Sequence, residues 1–403
     1  MSTAVTWARR NLFRSPLDAV LTVVFGLIAL AIAYKSLSFV FVTGRWQIIQ
    51  DNLRLLMYGR YPTGEVHRLA VAVVVLAGWG GVIAGITRAG QVRSGRSARI
   101  PRGWRRVADL AARLGLPLAV CLLLLVLTTT AGPWITAAAA AAAAAAGRFV
   151  GPWLGRHPLV DWRGLGVVLV LLAIPAVLFV YVAGPAGIDE WGGFMMNLFL
   201  AGCSIGLSFP LGVGLALGRR STLPLLRMMC TVYIEVVRGA PLFVLLLLAN
   251  VSLGYFVPQD VAPSTAVRAI VVFTLFTAAY MAEIVRGGLQ SVPRGQFEAA
   301  RALGLSPARQ TALVVLPQAL RNVIPAQIGQ MISLFKDTAL AALAMGTFEL
   351  LEVSRVVTSQ GDFRGQGLIG ETLAFAALLF WTVSYTMSRE SQRLEKKLGV
   401  GTR

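Results

Sequence analysis

Long apolar runs separated by arginine-rich segments constrain this chain more than any other feature of its sequence. A helix needs about 20 mostly apolar residues to cross the hydrocarbon core of a bilayer. Ten segments reach or approach that length, at 17–42, 69–86, 114–130, 134–150, 164–183, 194–217, 228–257, 266–289, 314–334 and 368–387. Only 14% of the residues are charged, against about 25% in a soluble domain. The sequence therefore predicts an all-α polytopic membrane protein surrounded by lipid.

The placement of the arginines predicts how the chain is oriented. The net charge is +19, which in a soluble protein would suggest a nucleic-acid partner. Here the basic residues instead lie between the apolar runs, and loops rich in lysine and arginine stay in the cytoplasm. Basic clusters follow the runs 194–217, 266–289 and 368–387, at Arg219, Arg220, Arg286, Arg294, Arg301, Arg309, Arg389, Arg393, Lys396, Lys397 and Arg403. We therefore expect a cytoplasmic C-terminus and no nucleic-acid partner.

A poly-alanine tract at 137–146 decides how many spans we expect. Basic residues also place the N-terminus inside, so an odd number of crossings must precede residue 194. Four upstream runs are clearly apolar. Alanine is the best helix former but only weakly apolar, so the tract either forms a fifth crossing or stays peripheral. The first case gives ten spans and the second, with one upstream segment outside the bilayer, gives eight. Residues 339–351 are expected to form a re-entrant or interfacial turn.

Several kinds of chemistry are excluded by the residue types present. The chain has no G-x-x-x-x-G-K-[ST] phosphate loop, so it lacks that means of binding ATP. His67 and His157 are its only histidines, which argues against a histidine-rich metal site. The three cysteines lie in apolar segments without a metal or disulfide pattern. We expect no cofactor in this chain.

A short polar helix is predicted at 294–305, between two apolar runs. Glu298 and Arg301 are three residues apart and can pair on one helix face. Gly304 follows in the position of a C-cap glycine. Two interpretations fit these residues. The helix could lie on the lipid surface as an amphipathic loop helix, or it could dock on a cytoplasmic partner.

The residues of this helix resemble a signature of ABC-importer permease subunits. The signature reads E-A-A-x3-G-x9-I-x-L-P, and the matching residues are Glu298, Ala299, Ala300, Gly304, Val314, Leu316 and Pro317. Val314 replaces the usual isoleucine. Residues 234–241, 279–289 and 334–338 are also similar to polar amino-acid permeases of the histidine, glutamine and general L-amino-acid (M-type) group. The resemblance covers roughly residues 191–398.

The resemblance implies a fold and a division of labour. Residues 189–398 would form the five-helix transmembrane core of a type I ABC importer, with 294–305 as its cytoplasmic coupling helix. Residues 1–188 would be an N-terminal transmembrane extension that contains the poly-alanine tract, giving about 8–10 spans in total. The residues implied to couple to the ATPase are Glu298, Ala299, Ala300, Arg301, Gly304, Leu316 and Pro317. The chain itself would not be an enzyme, because ATP and Mg²⁺ would bind to the partner ATPase.

The same resemblance implies an activity and a set of partners. The chain would translocate polar L-amino acids across the bacterial inner (plasma) membrane by alternating access. Its partners would be an ABC ATPase dimer, an extracytoplasmic amino-acid-binding protein and a second permease subunit. That subunit would be a related paralogue or, alternatively, a second copy of this chain. Lipid bilayer surrounds the spans.

Charged residues inside the apolar runs are a second set of candidates. The segments 235–239 and 283–287 both read Glu-[Val/Ile]-Val-Arg-Gly. Ionisable residues in a span are costly and usually paired, so Glu235 with Arg238 and Glu283 with Arg286 would neutralise each other. They could be structural ion pairs or a gate that rearranges between states. Gly239-Ala240-Pro241 predicts a kink after the first pair.

Further candidates are polar residues near or within the spans. Lys336 and Asp337 could anchor a span at the interface, contribute to core packing or to a subunit interface, or contact substrate. The candidates for a substrate pocket are Asn197, Ser204, Asn250, Tyr280 and Gln330, although such residues more often bond neighbouring helices. Specificity could also reside in the binding protein alone.

Two other functional classes were weighed. An ion-driven secondary transporter predicts inverted repeats and a membrane-buried acid, whereas both Glu-x-x-Arg segments lie toward the same side. A structural or assembly protein without transport activity is the other alternative.

Overall fold

The computed structural model describes residues 6–7, 11–93, 104–128, 130–154, 174, 176–184, 187–258 and 261–398. Within these ranges the regular structure is helical. We number the helices α1 Pro16–Ser38, α2 Gln47–Tyr58, α3 Val66–Arg93, α4 Trp104–Leu127, α5 Gly132–Leu154, α6 Gly193–Gly218, α7 Pro224–Gly239, α8 Leu242–Phe256, α9 Thr265–Ser291, α10 Arg294–Ala302, α11 Pro307–Gln310, α12 Leu316–Asp337, α13 Leu340–Met345, α14 Leu350–Val356 and α15 Ile369–Leu398. Most of the predicted run 164–183 lies outside the described residues.

Six helices in the described part of the chain are long and apolar enough to cross a membrane. These candidate spans are Pro16–Thr43, Thr63–Ile86, Gly132–Trp153, Gly193–Gly218, Thr265–Ser291 and Ile369–Glu395. α7 and α8 meet at an angle of 102°. They make a seventh candidate span if the bent pair crosses the membrane as one broken helix. That bend lies at the predicted kink. α12 occupies the predicted run 314–334 as a more polar helix that contains Pro325.

The poly-alanine tract is part of α5, which packs along α3. Their contact is made by glycines and alanines that let the two backbones approach closely, as small residues do between membrane helices. A Cβ atom on Gly81 would clash with the carbonyl oxygen of Ala144, and one on Gly147 would clash with that of Gly78. Gly78 faces Ala143 and Gly85 faces Gly151, so residue numbers rise together along both helices. α3 and α5 therefore run parallel and cross in the same direction.

The second half of the chain is organised around α9, which packs against α6 and α12. Small residues again allow the helices to approach closely. Gly212 of α6 lies against Met281 and Ala278, and Gly288 of α9 lies against Ala319 and Val323. The large buried side chains at these contacts include Leu200, Phe273, Met281 and Leu334. This arrangement fixes the ends of α6, α9 and α12 relative to one another.

α2 belongs to the predicted N-terminal extension but packs into the core of the second half. Its buried residues Ile48, Ile49, Leu53 and Leu56 share one hydrophobic cluster with Phe194 at the start of α6. The same cluster includes side chains of α14 and α15. α2 is therefore a cap over the end of the bundle at which α6 begins. The predicted boundary at residue 188 therefore separates two parts of the sequence, but side chains from both parts pack in one hydrophobic cluster.

A cluster of four aromatic rings joins the extension to the core beside this cap. Tyr61 lies against Trp191, which contacts Phe179 and Phe199 with ring centroids 6.0 and 4.9 Å away. The Tyr61 hydroxyl also donates a hydrogen bond to the carbonyl of Val182 at 2.9 Å. Aromatic pairs at these separations contribute stability beyond the area they bury. The cluster thus ties residues 176–183 to the start of α6.

We predict that Gly81→Leu destabilises the protein whereas Gly80→Leu does not. A side chain at 81 must push apart α3 and α5, and overpacking of this kind costs about 1–3 kcal/mol. Gly80 is on the same helix, but a Cβ there meets nothing within 4 Å. Thermal unfolding in detergent micelles measures both variants. Equal midpoints for the two would contradict the close packing of α3 and α5.

Candidate functional site

α10 is the predicted polar helix, and it is closed by a Schellman motif. It begins after Pro293 and ends at Ala302, followed by Gly304 with φ +71°. The amide of Leu305 donates to the carbonyl of Ala300 at 3.2 Å, and that of Gly304 donates to Arg301 at 2.9 Å. Glycine adopts this left-handed conformation without the steric penalty that a side chain carries. The motif turns the chain sharply away from the helix axis.

One face of α10 is fixed to the bundle, and the other is exposed. Ala300 is 2% exposed, and Phe297 packs against the cluster formed by the adjacent ends of α6, α9 and α12. Glu298, Ala299 and Arg301 are exposed. Leu303 is 80% exposed, which leaves an apolar side chain beside two charged ones.

Two side-chain amides tie α10 to the segment that leads into α12. Gln310 is only 5% exposed and donates from Nε2 to the carbonyl of Phe297 at 3.0 Å. Gln318 donates to the side chain of Gln296, also at 3.0 Å, in an exposed position. Between them lies a π-helical turn at Thr311–Val315, a feature often found at functional sites. The sequence did not identify Gln310, because one glutamine in a polar loop carries no distinguishing signal.

The segment after this turn carries the remaining signature residues. Leu316 is half-buried beside Val315, and Pro317 is exposed near the start of α12. Pro317 lies at one of the first helical positions, where its missing N–H leaves no internal hydrogen bond unmade. The leucine and proline therefore support the start of α12, while Glu298 and Arg301 form the exposed face.

A network of ion pairs centred on Glu283 lies at the C-terminal ends of α6 and α7 and in the C-terminal part of α9. Arg286 donates to its carboxylate in a bidentate arrangement, with Nη2 at 2.8 Å from Oε2. Arg219 at the end of α6 donates both to Glu283 and, at 2.8 Å, to Glu235. Arg238 approaches Glu283 at 3.6 Å. One carboxylate thus serves three arginines from three helices.

This pairing differs from the one expected from sequence spacing. Glu283 and Arg286 do pair at i, i+3, but Glu235 pairs with Arg219 and Arg238 turns toward Glu283. Arg238 lies 5.5 Å from the centre of the Tyr280 ring, a cation–π contact. Its Nε atom is buried without a hydrogen-bond partner among the described residues. From the sequence, Arg219 is only one of the basic residues of a loop, because its partners Glu235 and Glu283 lie in other helices.

Four of the five predicted pocket residues bond to different parts of the bundle. Among the described residues, they make no hydrogen bonds with one another. Ser204 bonds the carbonyl of Ile270 at 3.5 Å, and Asn250 bonds that of Ala344 at 3.3 Å. Tyr280 belongs to the ion-pair network, and Gln330 is half-buried on α12. A substrate role for them stays a prediction.

Asn197 is committed to a buried network at the opposite end of the bundle. Its Nδ2 donates to Glu349 at 2.7 Å and to Thr338 at 3.1 Å, and its Oδ1 accepts from the amide of Leu350 at 3.1 Å. Glu349 also accepts from the first amides of α14 and so caps that helix. Asn197 therefore joins α6 to the connection between α12 and α15. Sequence spacing gave no sign of this pairing.

Lys336 and Asp337 lie at the end of α12 near this network. Lys336 is exposed and Asp337 is half-buried, and neither forms an ion pair within the described part of the chain. Their position at the end of a helix does not distinguish among the proposed roles, which stay predictions. They are far along α12 from α10, which packs near its first residues.

Similarity to known proteins covers the whole chain. Residues 208–399 match the family described as "Binding-protein-dependent transport system inner membrane component". The glutamate/glutamine/aspartate/asparagine transport system permease protein BztC of Rhodobacter capsulatus is 33% identical over 98% of this chain and 94% of its own length. The inner membrane amino-acid ABC transporter permease protein YhdY of Escherichia coli is 38% identical over 63% of this chain and 66% of its own length. BztB of R. capsulatus, a permease protein of the same named system as BztC, is 42% identical over 30% of this chain and 27% of its own length.

We predict that Glu283→Gln destabilises the protein far more than Glu235→Gln. The side chain of Glu283 is 16% exposed, and its removal leaves three arginines without their shared counter-charge. Breaking a largely buried pair costs about 3 kcal/mol, whereas the 57% exposed Glu235 contributes about 0–1 kcal/mol. Thermal unfolding in detergent compares them. Similar losses from the two variants would show that Glu283 is not central.

A second prediction concerns the pH dependence of stability. Burial raises the pKa of the Glu349 carboxyl, which lies outside the spans, from 4.5 to about 7. The unfolded chain releases this proton near pH 4.5, so stability falls as the pH rises from about 5 to 7 and then levels off. Glu349→Gln should flatten this part of the profile, measured as unfolding midpoints at pH 5, 6, 7 and 8. Parallel profiles for the two proteins would contradict the assignment.

Proposed function

Because the chain belongs to the family of binding-protein-dependent transport system inner membrane components and is a membrane permease of an amino-acid ABC importer, we propose that it moves polar L-amino acids across the bacterial inner membrane by alternating access. The family comprises transmembrane permease subunits, distinct from the ATPase. ATP and Mg²⁺ bind to a separate ATPase dimer in this proposal. The C-terminus and α10 face the cytoplasm.

The single observation that carries the coupling role is the two-sided character of α10. Its inner face is fixed by Ala300 and Phe297, while Glu298, Arg301 and Leu303 point outward. A free lipid-surface helix would need an apolar face toward the bilayer, but the apolar face of α10 is already occupied by the bundle. The exposed charges and Leu303 are therefore available to a protein groove on the ATPase. Gly304 provides the turn that seats the helix.

Movement of α10 passes into the bundle through short connections. Gln310 links the helix backbone to the π-helical turn at Thr311–Val315, and Leu316 continues into α12. Phe297 shares a cluster with Val285 and Leu289 of α9. The Glu283 network lies on the same helix one to two turns away. A rigid shift of α10 would thus displace the inner ends of α9 and α12 together and strain the ion pairs, which fits a gate.

The names of the relatives support the proposed substrate class. BztC is named for transport of glutamate, glutamine, aspartate and asparagine, which supports polar amino acids as the cargo. Asn250, Tyr280 and Gln330 are half-buried, whereas Asn197 is engaged in the Glu349 network. We assign most of the specificity to the extracytoplasmic binding protein.

A second permease subunit completes the transporter in this proposal. BztB and BztC are both named as permease proteins of one transport system, and they are similar to 30% and 98% of this chain respectively. That supports a pair of related but different permeases over a homodimer. The exposed apolar faces of α7 and α8, with Val236, Val244, Leu248 and Val251, are available for such a contact.

We predict that Glu298→Lys abolishes coupling without unfolding the protein. The side chain is exposed, so charge reversal should leave the bundle intact and repel the partner groove. ATPase recovered with the affinity-purified permease should fall at least tenfold, and uptake of labelled amino acids should be lost. Glu390→Lys on α15 is the control, since it is the same change at another exposed site. Normal recovery and uptake with Glu298→Lys would refute the coupling role.

A further inference from the structure

Five exposed arginines lie at the end of the molecule opposite α10. Arg45, Arg54 and Arg60 are on α2 or its flanks, Arg355 is in the last turn of α14, and Arg364 lies between α14 and α15. α2 and α14 both pack at the start of α6. The 26 residues of α6 extend about 39 Å at 1.5 Å per residue. The arginine surface and α10 are thus separated by the thickness of the membrane.

The placement of these arginines is unusual for a membrane protein. If α10 is cytoplasmic, as proposed above, the five lie outside the membrane. The positive-inside rule concentrates lysine and arginine in cytoplasmic loops, so basic residues on the outer side are depleted. We therefore expect these arginines to have a function that offsets this bias.

Three of these side chains are held in place by neutral groups. Arg45 donates to the side chain and carbonyl of Gln366 at 3.0 and 2.7 Å. Arg54 donates to the carbonyl of Tyr61 at 3.0 Å, and Arg60 stacks 4.2 Å from the ring centre of Phe348. Within the described residues, none of the five guanidinium groups is in an ion pair. Their charges are oriented but not compensated.

The same segments carry four acids, one fewer than the arginines. Asp51 and Asp362 are exposed, Glu352 is half-buried, and the buried Glu371 accepts a hydrogen bond from the backbone amide of Arg45 at 3.1 Å. A guanidinium whose geometry is already fixed loses little further freedom when it binds a carboxylate. The surface therefore favours an anionic partner, and its interaction should depend on salt.

We propose that this arginine surface docks an acidic face of the extracytoplasmic binding protein. The inference rests on the proposed function, which requires such a protein to deliver substrate on this side. The buried face of α2 covers Phe194 at the end of the bundle. The exposed face of α2 therefore points away from the end of the bundle and into the aqueous space, whereas lipid headgroups surround the bundle's sides. The predicted extension thus supplies part of the receptor for the binding protein.

The test uses the complete transporter in lipid nanodiscs and the purified binding protein of the same transport system. Arg355→Glu combined with Arg364→Glu is the main variant, because no side-chain contact of either residue supports the described fold. We expect its Kd to rise at least tenfold at 50 mM NaCl and the difference to shrink at 500 mM. Asp51→Asn is the matched control and should bind equally or more tightly. Arg54→Gln provides an independent variant with a smaller loss.

Other outcomes separate the possible explanations. Wild-type affinity and salt dependence in both arginine variants would overturn the proposal. Unchanged affinity with an altered dependence of transport on the fraction of phosphatidylglycerol would also overturn it and would assign the surface to lipid. If the unmodified transporter itself fails to bind the protein or to retain the ATPase, the proposed function fails instead. ATP hydrolysis without the binding protein should be unaffected by the arginine variants.

Discussion

The carboxylate of Glu283 holds together the C-terminal parts of three helices. It receives hydrogen bonds from Arg219 and Arg286 and lies within ion-pair distance of Arg238. A charge placed in a span is costly unless it is paired. Among the described residues, Arg238 and Arg286 pair with Glu283, whereas Arg219 pairs with both Glu283 and Glu235. Glu283 lies on α9, which also contributes Val285 and Leu289 to the cluster that supports α10. A movement of α10 would therefore be transmitted to the ion pairs through α9.

Close helix packing by small residues makes this arrangement possible. Lipid provides no hydrophobic drive for helices to associate, so contact area and fit must do so. Gly212 and Gly288 allow α9 to approach α6 and α12, and Gly81 and Gly147 do the same for α3 and α5. The alanine tract serves the second contact, where larger side chains would keep the backbones apart. The two halves of the chain thus use one packing device.

The opposite end of the bundle is closed by polar groups with few alternatives. Asn197 and Glu349 satisfy each other and the first amides of α14. α2 then covers this network with apolar side chains. Burial raises the pKa of the Glu349 carboxyl to about 7, so the folded protein keeps this group protonated at acidic pH. A segment predicted to be outside the core therefore completes it, and it carries three of the five arginines at this end of the molecule.

Local features were determined by the sequence alone. The apolar runs required membrane helices, the charge placement predicted an orientation, and Gly304 predicted the end of α10, because each depends on residues within one or two helical turns. The Glu283–Arg286 pair was predicted for the same reason. Tertiary structure decided the other partners. Arg219 and Glu283 are 64 residues apart in sequence, and Asn197 and Glu349 are 152 apart. A charged or amide side chain bonds the best-placed complementary group that folding brings near it, and spacing along one helix carries no information about groups that arrive from another.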